Sequence, residues 1–209
     1  MDSTPPILFN RARLRKRRER AAAHFAQHDF LWHQAASRAE ETLSYIKRDF
    51  ATMLIFGGHG FTAPAGTTHL IRAEYAALPN TSLIADEEAL PFAENSLDAV
   101  LCLLNLHWVN DLPGTLAQIC RALKPDGLFL AILPGGETLR ELRSIFASVE
   151  VELSSGISPR IAPFIDVRDA GALLQRAGFA LPVADTETLN ISYENLFALM
   201  ADLRGAGQA

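Results

Sequence analysis

Glu74, Asp86 and the glycines at 57, 58 and 60 each stand at the end of a short apolar run, where sheet proteins build nucleotide sites. Gly57, Gly58 and Gly60 follow the run Ala51–Phe56. They would let a ligand approach the backbone and meet free amide donors, although a tight turn uses the same residues. Glu74, after a second run, has the place of an acid that accepts both hydroxyls of a ribose, or of a solvent-facing carboxylate at a helix N-terminus. Asp86, after a third, could accept the exocyclic amine of an adenine. With Glu87 and Glu88 it could equally offset the positive end of a helix, worth about 0.3–1 kcal/mol per acid. His107 reads either as a base or substrate-orienting group, or as a histidine that caps its loop. Trp108 beside it reads as a packing residue.

Other chemistries find no support. The two cysteines, Cys102 and Cys120, show no CxxC spacing, so no metal ligands are assigned. Neither a Gly-x-Ser-x-Gly elbow nor a P-loop is present, which sets aside serine hydrolases and P-loop nucleotidases. Two cysteines also make no disulfide framework, as suits a reducing compartment.

Such residues need elements that bring several strand ends side by side. The pattern is helical from Arg11 to about Asp49, then changes. Apolar runs at 51–56, 69–73, 82–85, 97–104 and 128–133 read as buried strands, with a sixth expected at 180–184. Helices are expected at 112–123, 137–149, 166–177 and 194–203, with a turn at Lys124–Gly127. This alternation predicts an α/β fold with a doubly wound, mostly parallel sheet. Its parts would be a helical N-terminal extension over 1–50 and an α/β domain over 51–209.

The 209 residues, 49% of them hydrophobic, exclude disorder and suffice for one full core. No apolar run approaches the roughly 18–20 residues of a membrane span, and the first ten residues do not read as a secretory signal. Charge is uneven: the net charge is −5, yet seven basic residues crowd Arg11–Arg20. That run reads as a nucleic-acid or anionic-surface contact, or as an amphipathic helix with Leu14 and Ala21–Ala23 turned inward. Without interleaved aromatics, and on an acidic chain, the second reading is preferred and a nucleic-acid partner is not expected.

The stretch Ala85-Asp-Glu-Glu-Ala-Leu-Pro-Phe92, with Asn95–Val100, Asn105–Pro113 and Leu123–Gly127, resembles the class I S-adenosylmethionine-dependent methyltransferases. Within them, "LHWVNDLP", "GGETLRELR", "SPRIAPF", "LLQRAGF" and the entry "FNRARLRKRRERAA" are similar to a narrower group. This group holds the mitochondrial respiratory complex I assembly factor with a methyltransferase fold and its alphaproteobacterial relatives. It is distantly similar to the malonyl-carrier-protein methyltransferases of biotin synthesis. The resemblance covers most of residues 9–207. It implies a Rossmann-like class I methyltransferase fold and S-adenosylmethionine as cofactor. Gly57, Gly58, Gly60, Glu74, Asp86, Glu87 and Asn105 would contact that cofactor, with His107 as catalytic candidate. The methyl acceptor would be a protein or small molecule, and a respiratory complex subunit is a candidate partner. The mitochondrial members are linked to arginine hydroxylation, for which the sequence shows no triad of two histidines and a carboxylate.

The first motif departs from the family. No acid ends the first strand, and Phe56 stands where the first glycine belongs, so a side chain is expected where backbone should meet ligand. Residues 61–68 and 76–81 are too few for the usual helices. Relatives continue past Gly207 into a further helix and a closing antiparallel strand, so that strand is expected to be absent and the sheet edge open. Two function classes stand at this point: a methyltransferase, and a non-catalytic assembly protein on the same fold. The expected location is the bacterial cytoplasm, or the mitochondrial matrix in a eukaryote.

Overall fold

Asn10 starts the first helix: its side chain accepts the amide of Arg13 at 2.9 Å, and α1 runs Arg11–Ala21. A 3-10 turn at Phe25–Gln27 leads into α2, Phe30–Ser44, whose Trp32, Ala35, Ala36, Ala39 and Leu43 are buried along one stripe. The structure, a computed structural model, describes residues 7–153, 156 and 158–209.

Five strands follow: β1 Thr52–Phe56, β2 His69–Glu74, β3 Leu83–Ile84, β4 Leu97–Leu103 and β5 Leu123–Ile132. They form one sheet in the order β3-β2-β1-β4-β5, and every pair is parallel. Met53 to Phe56 are buried without alternation, as a strand covered on both faces requires. The faces differ in partner. Met53 and Ile55 of β1, with Ala99, Leu101 and Leu103 of β4, pack on α2 and Phe50. Leu54 and Phe56, with Val100 and Cys102, pack on Ile119 and Ala122 of α3, Leu112–Ala122. Asp111 and Pro113 start α3, the Asp111 carboxylate accepting the Gly114 amide at 2.9 Å. Three helices complete the described chain: α4 Arg140–Leu153, α5 Val167–Arg176 and α6 Leu196–Gly205.

The parallel Rossmann-like sheet expected from the alternation is present, and no antiparallel strand occurs among the described residues. Residues 57–68 and 75–82 join β1, β2 and β3 without a helix, as their shortness predicted. Other expectations need correction. Residues 180–184 form no strand; Leu181 has φ +48° and is 94% exposed, with no neighbouring strand to pair it. Lys124–Gly127 does not separate helix from strand: β5 begins at Leu123, opposite Leu97, and absorbs the segment as an irregularity with Asp126 at φ +60°. Helix α4 starts at Arg140 rather than 137. The preceding turn puts Leu139 at φ +55°, and the Arg143 guanidinium holds it by donating to the carbonyls of Gly136 and Thr138. Ser154 and Ser155, expected to follow that helix, lie outside the described residues. No described helix is long and apolar enough to cross a membrane.

Candidate functional site

The chain passes from β1 to β2 on one side and returns to β4 on the other, so strand order reverses between β1 and β4. A cavity of about 550 Å³ opens there, at the carboxyl ends of β1, β2 and β4. Gly57, Gly58, Gly60, Glu74 and Asn105 all line it.

Gly57 sits at φ +70°, and a Cβ on it would lie 1.8 Å from the carbonyl oxygen of Leu103. Gly60, at φ +76°, would drive a Cβ to 2.4 Å from Nδ1 of His33. Only glycine lets the loop turn so close to β4 and α2. Phe56 obstructs nothing: its ring turns to the opposite face of the sheet, into the core around α3. The expectation of a side chain in the ligand's path is thereby corrected. As the last residue of a pleated strand, Phe56 points away from the face that bears the cavity wall.

Glu74, at the end of β2, accepts the amide of Gly57 on Oε1 at 3.0 Å and has Oε2 3.7 Å from a guanidinium nitrogen of Arg18. Burial pushes its pKa up to about 7, Arg18 and the Gly57 amide pulling the other way. Its solvent-facing alternative does not apply. Arg72 braces the loop from β2, donating to the carbonyls of Gly58 and Phe61. His59 and His33 each place Nε2 3.2 Å from Oδ2 of the buried Asp29. Burial lowers the pKa of His59, as do His33 and Arg72, against the pull of Asp29.

Asp86 and Glu87 lie outside this cavity wall. Asp86 accepts from Arg11 at 2.8 Å, and Glu87, 1% exposed, accepts from the same nitrogen. Asn105 links cavity and acids: its amide donates to Oε1 of Glu87 at 3.1 Å, and its own Oδ1 is buried without a partner. Arg11 stacks on Tyr75, its guanidinium carbon 4.0 Å from the ring centre. Burial opposes its charge, but Glu87, Asp86 and Glu88 together raise its pKa.

His107 lines a separate apolar pocket of about 250 Å³, with Phe9, Val109 and Phe164. Gln208 Oε1 accepts from Trp108 Nε1 at 2.6 Å and lies 3.2 Å from His107 Nε2, so that nitrogen carries the hydrogen. Burial lowers the His107 pKa to about 4, leaving a neutral ring whose buried Nδ1 has no partner.

Sequence reading passed over Arg11, Arg18, Arg72, Asp29, His33 and His59. Arg11 and Arg18 stand in a run of seven cations, and only the docked helix shows that they turn inward with Leu14. His59 stood within the glycine cluster itself.

The residues fit a nucleoside ligand with an amino-acid end: a buried acid for a ribose, a loop with three glycines in four residues, and an unpaired amide oxygen. No group of three or more His, Cys, Asp or Glu suited to a metal occurs among the described residues.

The family model for the methyltransferase domain matches residues 65–131. The mitochondrial arginine-hydroxylase NDUFAF5 of Mus musculus is 39% identical over 219 residues, covering 97% of this chain and 64% of that protein. The chain thus spans just under two thirds of this relative's length. The Danio rerio protein of the same name is 34% identical, covering 97% of this chain and 68% of its own. A malonyl-[acyl-carrier protein] O-methyltransferase of Gallionella capsiferriformans is 42% identical over 123 residues, which is 59% of this chain and 40% of that one. Among solved structures, a SAM-dependent methyltransferase from Thermotoga maritima superposes with a TM-score of 0.56 at 19% identity, covering 79% of this chain and 81% of its own. The chain is a methyltransferase-fold protein and belongs to the family of the mitochondrial arginine-hydroxylase NDUFAF5.

Proposed function

We propose that this chain binds S-adenosylmethionine in the cavity between β1 and β4 and transfers its methyl group to a protein or small-molecule acceptor. Glu74 would hold the ribose hydroxyls and Gly58 and Gly60 the amino-acid end; Asp86, outside the cavity wall and paired with Arg11, would take the adenine amine once Arg11 withdraws, with Glu87 and Asn105 behind it. The cofactor supplies a methyl already activated on a sulfonium, so the protein's task is to align acceptor and methyl and exclude water. His107, the catalytic candidate from the sequence, lines the separate pocket with Phe9 and Phe164, so its neutral ring and bare Nδ1 would serve to orient an acceptor there rather than to touch the cofactor. The observation that carries this reading is Glu74, buried at the end of β2 and fixed to the glycine loop by the Gly57 amide. Calorimetric titration with S-adenosylhomocysteine tests it. The expected result is binding that Glu74→Ala weakens at least tenfold; no detectable heat at millimolar ligand sinks the reading.

A second reading takes the name of the NDUFAF5 relatives: an arginine side chain of a respiratory complex subunit is the substrate, or the chain assists assembly without catalysis. The 39% identity across 97% of the chain favours it. Mass spectrometry of a reacted arginine peptide separates the two chemistries, since hydroxylation adds one oxygen and methylation one carbon with two hydrogens.

A further inference from the structure

We propose that α1 is a strap closed over the purine end of this site, with the guanidinium of Arg11 held where an amine-bearing planar ring would bind. The inference rests on the nucleoside-binding reading and extends it by naming what competes with the ligand.

Three observations carry it. Arg11 makes the contacts an aminopurine would make. Its guanidinium carbon sits over Tyr75, 4.0 Å from the ring centre, and one edge nitrogen donates to Asp86 at 2.8 Å and to Glu87. The same helix face reaches the ribose acid. Arg18, two turns on, lies 3.7 Å from Glu74, and Leu14 between them in the sequence is buried as well. One element thus covers both acids that a nucleoside needs. The closure is also incomplete in its bonding. Nε of Arg11 is buried without a hydrogen-bond partner, and so is Oδ1 of Asn105, behind Glu87. A buried donor and acceptor left unmet are a standing cost that a better-matched occupant would remove.

The attachment of α1 suits displacement. Its buried residues are Leu14, Arg18 and Ala21, while Arg13, Arg15, Lys16 and Arg20 face solvent. Beyond Leu14 and Ala21 little apolar surface of the helix holds it, and a ligand that pairs with the same acids would replace buried ion pairs whose loss is otherwise costly.

The test combines two measurements on the whole chain. Titration calorimetry with S-adenosylhomocysteine compares the unmodified protein with Arg11→Ala. Hydrogen exchange of the unmodified protein is followed with and without the same compound. The strap predicts at least fivefold tighter binding by Arg11→Ala, and loss of protection over residues 11–21 when the compound binds. Equal or weaker binding by a variant with unchanged circular dichroism overturns the strap, as does a gain of protection in α1. If Arg11→Ala fails to fold, the exchange experiment decides alone. Binding by the unmodified protein with no gain in the variant removes the strap and leaves the nucleoside reading intact. Binding by neither removes both.

Discussion

The Glu74 carboxylate lies 3.7 Å from the Arg18 guanidinium, yet burial lifts its pKa to about 7. An acid raised above its unfolded value near 4.5 contributes stability that is fully present below that value and lost as pH rises through about 7. Glu74→Gln removes the titration and keeps the shape. Relative to the unmodified protein, the variant should gain stability between about pH 5 and pH 8, by on the order of 1–3 kcal/mol. Urea titrations at several pH values measure this; a constant difference across the range would contradict the burial of this carboxylate.

His107 works in the opposite sense. Its pKa is lowered to about 4, so the stability it contributes is present above its unfolded value near 6.5 and lost as pH falls through about 4. His107→Gln should gain on the unmodified protein as the solution is acidified from neutrality towards pH 4. Thermal melts across that window, read as differences between the two proteins, isolate this residue from Glu74.

The glycine loop makes a sharper contrast. Gly57→Ala sets a Cβ 1.8 Å from the Leu103 carbonyl oxygen at a positive φ, and nothing there can yield but backbone. A loss of more than about 2 kcal/mol is expected, with loss of ligand binding. Gly135→Ala meets nothing within 4 Å and should be neutral to within about 0.5 kcal/mol. Denaturant midpoints of the two variants, measured side by side, check the pair.

Ala39 of α2 is 0% exposed and lies in one buried cluster with Met53, Ile55, Ala99 and Leu101 of the sheet. Ala39→Leu should cost about 1–3 kcal/mol by overpacking against β1 and β4. A neutral result in a denaturant titration would mean that α2 is a loosely held cover rather than a layer of the core.

Much of the architecture could be read in advance, for identifiable reasons. Met53–Phe56 and Ala99–Leu103 are continuous apolar runs, as central parallel strands covered on both faces produce. Glu74 and the glycines could be picked out because chemistry at strand ends demands their types. The orientation of Phe56 could not, since it depends on the pleat and on which helix covers which face. Nor could Arg11 and Arg18 be separated from five neighbours of like charge: only the docked helix decides which of seven cations turns inward. The strand expected at 180–184 failed because an apolar segment needs a strand to pair with, and its own residues do not say whether one is near.

The helix-free links at 57–68 and 75–82 bear on how the chain acquires its shape. Closing a short loop costs less entropy than closing a long one, and β1, β2 and β3 meet through short ones. Joining β1 to β4 must instead wait for the chain from Phe56 to Leu97 to be gathered in. The glycine loop and Glu74 belong wholly to the early half, so the floor of the cavity should fold ahead of its far wall. Pulse-labelled exchange during refolding should find amides of 52–56 and 69–74 protected before those of 128–132.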